Sequence, residues 1–448
     1  MLQVPPNVDD ANSAEVRPTG VRYLVLAILA LAPASAYLTR IISAANTTIA
    51  AEFQATDKVM GDVMAGFALG YFVAQIPGGF LASSWGVRKT LPLISMAWSL
   101  CALLCTFAAS PNELWMARVA IGVAQAGLVP CCAQALSQWF PISRRGIASS
   151  VMGGAMQLGG IAATELTARL LGPLGWRGAL QAYSATGALW AIAFLFWFRN
   201  RPEEHDRVNL AECQLIACGR EADSVAAEPA TRLTIQNRLR LLLPFCASVS
   251  VWAFFIQAVF RAYAYEFFTT WCPAFLEKAY GLAKVDAASL TTWPLWTLAI
   301  GSLVSGYLVD AVMVRTGNRW LSRSGLAFCG LALCGACFAA ATQIDNPRLV
   351  MGVIALGALL ASVGGPATWA AAMDLGGRRA AVLAGAMNMM GNIGAYYCPK
   401  QVGQLFFSIE NSTGNWTLVL WLFAGVNFVA ALAWIFVNPS RGVSSREK

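Results

Sequence analysis

Charge is what this 448-residue chain has least of: Asp, Glu, Lys and Arg make up 12% of it, about half the share in soluble domains, against 57% hydrophobic residues. So few charges cannot clothe the two or three water-soluble domains that this length would otherwise form. Histidine is scarcer still, with His205 alone in a charged loop. The twelve cysteines lie mostly within apolar runs, as Cys101, Cys105, Cys329 and Cys334 do, and Cys131 adjoins Cys132. Neither a disulfide framework nor metal-ligand spacing results, and no metal or cofactor is expected. No glycine cluster leads into Gly-Lys-Ser/Thr, so there is no phosphate loop. Paired acids, a His cluster and a Ser-His arrangement are missing too, which argues against an enzyme. Met1 to Gly20 is polar and holds Pro5 and Pro6 but lacks the basic start and cleavage site of a signal peptide, so the first apolar run is expected to be retained.

What the chain does hold is apolar runs of about 20 residues, the length that crosses a bilayer as helix. They fall near residues 22–44, 60–82, 91–109, 114–137, 146–170 and 178–198, then near 247–276, 287–311, 321–342, 347–370, 380–408 and 417–437. With no polar alternation, helices are the spanning form that satisfies the backbone in lipid. The expected fold is therefore all-α, a polytopic membrane protein of about twelve transmembrane helices in two pseudo-symmetric six-helix halves. Its parts are an N-terminal tail (1–21), a first half (22–198), a polar linker (199–240), a second half (241–437) and a C-terminal tail (438–448).

The formal net charge of +8 sits in short clusters between these runs, where membrane topology uses it, so nucleic acid is not an expected partner. Arg88 and Lys89, Arg144 and Arg145, the linker arginines, Arg315, Arg319 and Arg323, and Arg378 and Arg379 all fall on one face. The positive-inside rule makes that face cytoplasmic, together with both termini. The halves also echo each other: Gly79-Phe80-Leu81-Ala82-Ser83 precedes Arg88 after the second run, and Gly306-Tyr307-Leu308-Val309-Asp310 precedes Arg315 after the eighth.

These stretches resemble the major facilitator superfamily, whose signature between spans two and three is matched by Gly79 to Lys89. The likeness is nearest to the anion:cation symporter branch, which includes sialin and the hexuronate and galactonate permeases. It rests on Tyr37-Leu38-Thr39-Arg40, Tyr71, Gln75-Ile76-Pro77-Gly78-Gly79, Arg118 with Gly122, and Trp139-Phe140-Pro141. In the second half it rests on Trp252, Thr270-Trp271, Pro273, Trp369, Asn388 and Gly391-Asn392. The resemblance implies a central cavity lined by spans one, four, seven and ten. Proton-driven members of the branch often carry an acid beside the span-one arginine and another in span four, whereas Thr39 and Gln125 stand there in this chain. Ser83 and Ser84 replace the Asp-Arg of the signature while Asp310 is retained, which implies an asymmetric inner gate.

Four basic residues remain inside spans: Arg40, Arg118, Arg261 and Lys400. Each costs roughly 2.5–3.5 kcal/mol at a helix centre, so each needs a partner or a watery cavity, and arginine cannot escape by losing its proton. Arg40 lies about one turn from the end of span one and Arg118 about one turn into span four, helices of opposite direction. One such arginine can snorkel to the interface; two at one depth favour a carboxylate clamp. Arg261, near the middle of span seven, is assigned to the substrate anion, with an ion pair to another helix as the alternative. Glu266 lies five residues on and about 140° around the helix, so it need not pair with Arg261, and it is assigned to coupling or gating. Glu165 is expected to pair with Arg169 at i,i+4 on the rim and serves only as a reserve proton carrier. Tyr37, Tyr71, Gln157, Trp369 and Asn388 offer hydrogen bonds or stacking to a polyhydroxylated ligand.

The resulting expectation is a monomeric secondary active or facilitated transporter, in a cell inner membrane or plasma membrane. It takes up a small organic anion such as a sugar acid by alternating access, with H+ or Na+ as the coupling cation if transport is coupled. Two other readings stay open. Efflux of a drug or metabolite is disfavoured by the lack of a Gly-Pro pair in span five. A non-transporting ligand sensor is disfavoured by the short polar stub after Asn438.

Overall fold

The computed structural model describes residues 17–40, 43–141, 144–217, 248–376, 380–412 and 414–439. Most of the expected linker, both outer parts of the tails, and Arg378 and Arg379 lie outside the described residues.

The first half comprises α1 (Val21–Arg40), α2 (Asn46–Glu52), α3 (Asp57–Trp85), α4 (Val87–Cys105), α5 (Pro111–Gln125), α6 (Leu128–Trp139) and α7 (Arg145–Trp197). A short α8 (Leu210–Ala217) opens the linker. The second half comprises α9 (Val249–Thr270), α10 (Cys272–Tyr280), α11 (Lys284–Thr316), α12 (Leu326–Ala341), α13 (Pro347–Ala361), α14 (Gly364–Gly376), α15 (Ala380–Asn411) and α16 (Thr417–Phe436).

α7 runs for 53 residues, about 80 Å and far more than a bilayer is thick. Its continuity breaks at Gly175, whose φ of 65° and ψ of 175° no helix accommodates, so it holds spans five and six. Pro173 lies two residues earlier and α7 resumes beyond the turn. Among the described residues, eight helical stretches, Ile147–Trp197 among them, are long and apolar enough to cross a membrane; with its two crossings and α3, α9 and α15, the bundle has twelve spans. Large apolar side chains such as Leu303, Val314 and Phe196 point out of the bundle, the arrangement a lipid solvent selects.

The halves repeat one packing scheme. Span one packs on span five, two on four and three on six; likewise seven on eleven, eight on ten and nine on twelve. Spans two and four meet where Gly70 and Gly122 stand: a Cβ on Gly122 would lie 2.1 Å from the Phe67 carbonyl oxygen, so glycine is required for the backbones to touch. Gly394 of span eleven likewise meets the Val259 carbonyl of span seven, as Gly159 of span five meets that of Ala34 in span one.

Two seams join the halves, span two with eleven and span five with eight. Their ties gather at the end of the bundle away from the basic loops. There Lys278 bonds Asp57 at 2.6 Å and Glu410 at 2.9 Å, Lys400 bonds Asp62 at 2.9 Å, the Thr47 hydroxyl donates to Glu277 at 2.8 Å, and Lys284 reaches Thr48. Gly61 packs on the carbonyl of Pro399 and Gly403 on that of Asp57, closing the same end backbone to backbone.

Three of the expected spans are not single helices. Span four breaks between α5 and α6, span seven between α9 and α10 at Trp271, and span ten between α13 and α14 at Ser362 and Val363. The backbone stays hydrogen-bonded through these breaks: Trp271 N–H donates to the Phe267 carbonyl at 2.9 Å, Phe275 N–H to the Trp271 carbonyl at 2.8 Å, and Cys131 N–H to the Gly127 carbonyl at 3.0 Å.

Candidate functional site

The site begins where spans one and four meet: the Nη1 of Arg118 donates to the Arg40 carbonyl oxygen at 2.6 Å. The two arginines, paired in the sequence by their depth and by the family resemblance, are therefore in direct contact.

The Arg40 guanidinium rests on aromatic faces. Its Cζ lies 4.3 Å from the ring centroid of Phe67, 4.9 Å from Tyr37 and 5.8 Å from Tyr71, while Arg118 stands 5.8 Å from Phe67 on its own side. Each such contact contributes about 0.5–2 kcal/mol. Three together offset much of the roughly 2.5–3.5 kcal/mol that a buried arginine costs. Among the described residues neither arginine has a carboxylate within ion-pair distance, and the Nε of Arg118 is buried with no acceptor.

Span seven supplies the other wall. Glu266 is close enough to interact electrostatically with both Arg40 and Arg118, across the boundary between the halves, and not with Arg261. The Tyr265 hydroxyl donates to Gln157 Oε1 at 2.9 Å, tying the two halves beside that carboxylate. Arg261 stands five residues away, about 7.5 Å along an ideal helix toward the basic end. Its stem lies 3.8 Å from where a Cβ on Gly364 of α14 would sit, and its Nε is buried with no hydrogen-bond partner. Gln125 and Thr39, standing where acids were expected from the resemblance, bond each other: Gln125 Nε2 donates to Thr39 Oγ1 at 3.0 Å and to the Ala36 carbonyl at 3.1 Å.

Other candidates lie apart. Glu165 pairs with Arg169 at 2.6 Å. Lys400 is held by Asp62. Asn388 and Trp369 are exposed; the Asn388 carbonyl accepts from Asn392 at 2.9 Å, and Trp369 has no ring or cation partner among the described residues. Asp310 is exposed at the basic end, without an ion pair among the described residues. A cavity of about 450 Å³ lined by Gln138, Arg201, Pro202, Glu203 and Glu204 belongs to the basic end and touches none of Arg40, Arg118 and Arg261. Two site residues were missed from sequence, Phe67 and Tyr265. Phe67 stands one turn from Tyr71, an i,i+4 aromatic pair that was there to be read.

Two helical halves, each repeating the other, meet over an arginine-lined interior, and residues 26–399 match the model of the Major Facilitator Superfamily. The chain belongs to the Major Facilitator Superfamily. It is thus a transporter and not an enzyme. Similar members of this superfamily include the probable sulfoacetate transporter of Cupriavidus necator, 28% identical over 95% of this chain and 96% of that one. The probable galactarate/D-glucarate transporter of Escherichia coli is 25% identical over 94% of each chain, and the galacturonate transporter of Dickeya chrysanthemi 24% identical over 64% of this chain and 81% of that one. Among solved structures, a bacterial homolog of the human lysosomal transporter Spinster superposes with a TM-score of 0.67 at 19% identity, covering 93% of this chain and 95% of its own. The D-xylose-proton symporter gives 0.69 at 15%, covering 94% and 99%.

Proposed function

We propose that this superfamily member is a secondary carrier for a small organic anion, a sugar acid or a sulfonated carboxylate of the sulfoacetate kind, bound by Arg40, Arg118 and Arg261. One observation carries the reading: three arginines face the interior without a carboxylate in ion-pair contact among the described residues, and two of them bury an Nε that nothing accepts. A buried donor without an acceptor costs about 1–3 kcal/mol, and an anionic ligand removes that cost. Tyr37, Tyr71 and Gln157 surround the Arg40 and Arg118 end and supply hydroxyl and amide partners for the rest of the ligand. The relatives' names speak for acids as a class and include both singly and doubly acidic molecules.

With the basic loops in the cytoplasm of a cell inner membrane or plasma membrane, the ties at Lys278 and Lys400 hold the two halves together at the outer face. Alternating access then requires those ties to break as the halves rock. Glu266, facing the arginines of the other half, is positioned to compete with the substrate for them. It is the group through which H+ or Na+ would be coupled to uptake by the monomer.

The test is uptake of labelled sulfoacetate, galacturonate and glucarate into proteoliposomes, with pH and sodium gradients imposed separately. Saturable uptake of at least one is expected, and Arg40→Ala, Arg118→Ala and Arg261→Ala should each reduce it by tenfold or more. Intact transport in all three variants would sink the reading. A Glu266→Gln protein that still concentrates substrate under the driving gradient would remove that residue from coupling.

A further inference from the structure

The ionisable groups inside the bundle form two separate centres, each one positive charge in excess. The first holds Arg40 and Arg118 with Glu266 as their only electrostatic carboxylate partner among the described residues, leaving one charge unbalanced. The second is Arg261 by itself, which has no ion pair among the described residues and whose Nε is buried without an acceptor. Of the other acids in the spans, Glu165 is engaged by Arg169, Asp62 by Lys400, Asp57 by Lys278 and Asp374 by Arg323, while Asp310 is exposed at the basic end. Next in the chain to Arg40, Thr39 is bonded to Gln125 of span four, both buried and neither ionisable, so this pair adds no charge to the first centre.

A monoanion bound at either centre leaves the other charge bare in a low dielectric, where it is poorly screened. A molecule with an anionic group at each end balances both. The centres are offset by about 7.5 Å along span seven, a distance that two anionic groups on a short chain span once each is met by a guanidinium from beyond its end. The buried and unaccepted Nε atoms divide in the same way, one on Arg118 and one on Arg261.

We propose that the substrate is a linear dianion, with one anionic group at Arg40 and Arg118 and the other at Arg261; this rests on the organic-anion reading above. Thr39 and Gln125 then act as specificity residues by withholding a charge: the second negative charge comes from the substrate and not from the protein.

The test is ligand binding to the purified full-length chain at neutral pH, followed by intrinsic tryptophan fluorescence and by thermal stabilisation. Malonate, succinate and 3-sulfopropionate serve as dianions, and glycolate, butyrate and gluconate as monoanions. At least one dianion is expected to bind tenfold or more tightly than every monoanion. Arg261→Gln should bring that ratio to about threefold or less, and Arg261→Lys should restore most of it. The melting temperature of each unliganded variant separates lost recognition from lost folding. Monoanions binding as tightly as dianions, or an Arg261→Gln protein that is folded and keeps the preference, would overturn the dianion assignment while leaving the organic-anion reading in place. If neither class binds, the organic-anion reading falls and this inference with it.

Discussion

Gln125 donates to the Thr39 hydroxyl across 3.0 Å of buried interior, joining span four to span one next to the two arginines. Where the resemblance leads one to expect acids, a neutral pair bonds to itself, so these positions can neither bind nor release a proton. Gln125→Glu restores a carboxylate within reach of the same Thr39 hydroxyl. It should lower dianion uptake about tenfold at pH 8, a cost of about 1.4 kcal/mol, and the loss should recover as the medium is acidified and the new carboxyl protonates. Initial uptake rates from pH 5.5 to 8 check this. Superimposable pH profiles for the two proteins would show that position 125 does not face the arginines electrically.

Arg118 has two tasks, one donor on the Arg40 carbonyl and the others free for ligand. Lysine keeps the charge but has a single nitrogen, which cannot hold a carbonyl and present a planar fork to an anion at once. Arg118→Lys should therefore lose transport efficiency by about 10- to 100-fold, or roughly 1.4–2.8 kcal/mol. A lysine variant within twofold of the parent would mean that only charge is read at this position.

How much of this was legible beforehand follows distance along the chain. Glu165 with Arg169 was predictable because i,i+4 neighbours share a helix face whatever the fold, and the pair is present at 2.6 Å. The spans were legible from hydropathy, and the shared depth of Arg40 and Arg118 from counting residues. That count could not show that the two touch through a backbone carbonyl, because the contact depends on how spans one and four dock, 78 residues apart in the chain. Glu266 was read against Arg261 on its own helix, yet its electrostatic partners belong to the other half. The bond from Tyr265 to Gln157, 108 residues apart, is likewise set by docking of the halves, which leaves no local pattern.

At the basic end, the linker is fastened to the first span by one carboxylate. Glu212 of α8 is fully buried and accepts from the backbone N–H groups of Val21 and Arg22, both at 3.1 Å, and from the Thr19 hydroxyl, while Arg22 Nη1 stands 3.3 Å away. It thus caps the open N-terminus of α1 from a distance in sequence. Burial alone would push its carboxyl up, but these hydrogen bonds and the Arg22 charge outweigh burial and hold it below the ordinary carboxylate value. With the folded value depressed, the stabilisation is complete above the unfolded value of about 4.3 and is lost as pH falls through the folded one. Hydrogen exchange over residues 210–217 should therefore accelerate only in that acidic window, and Glu212→Gln should raise it already at pH 7. Exchange that is insensitive to both changes would show that α8 is held by something else.

The outer end offers the sharpest test of conformational change, because a single lysine holds acids from both halves. Lys278 stands between Asp57 of the first half and Glu410 of the second, and Asp57 is buried while Glu410 is half exposed. Removing one partner of a buried ion pair costs about 3–5 kcal/mol; here the penalty should be less, about 1–3 kcal/mol, since Glu410 can return to water. The cost exists only while this end is closed. Lys278→Met should then shift the population toward the open form by about 5- to 150-fold, read as faster backbone exchange where residues 57–62 meet 399–403. A general loss of packing would give the same acceleration, so the second substitution decides. Asp57→Asn in the same chain removes the orphaned carboxylate, and the double variant should recover most of the protection lost in the single one. If it exchanges as fast as Lys278→Met alone, the lysine contributes packing and not charge, and the closed end is held by the contacts of Gly61 and Gly403 instead.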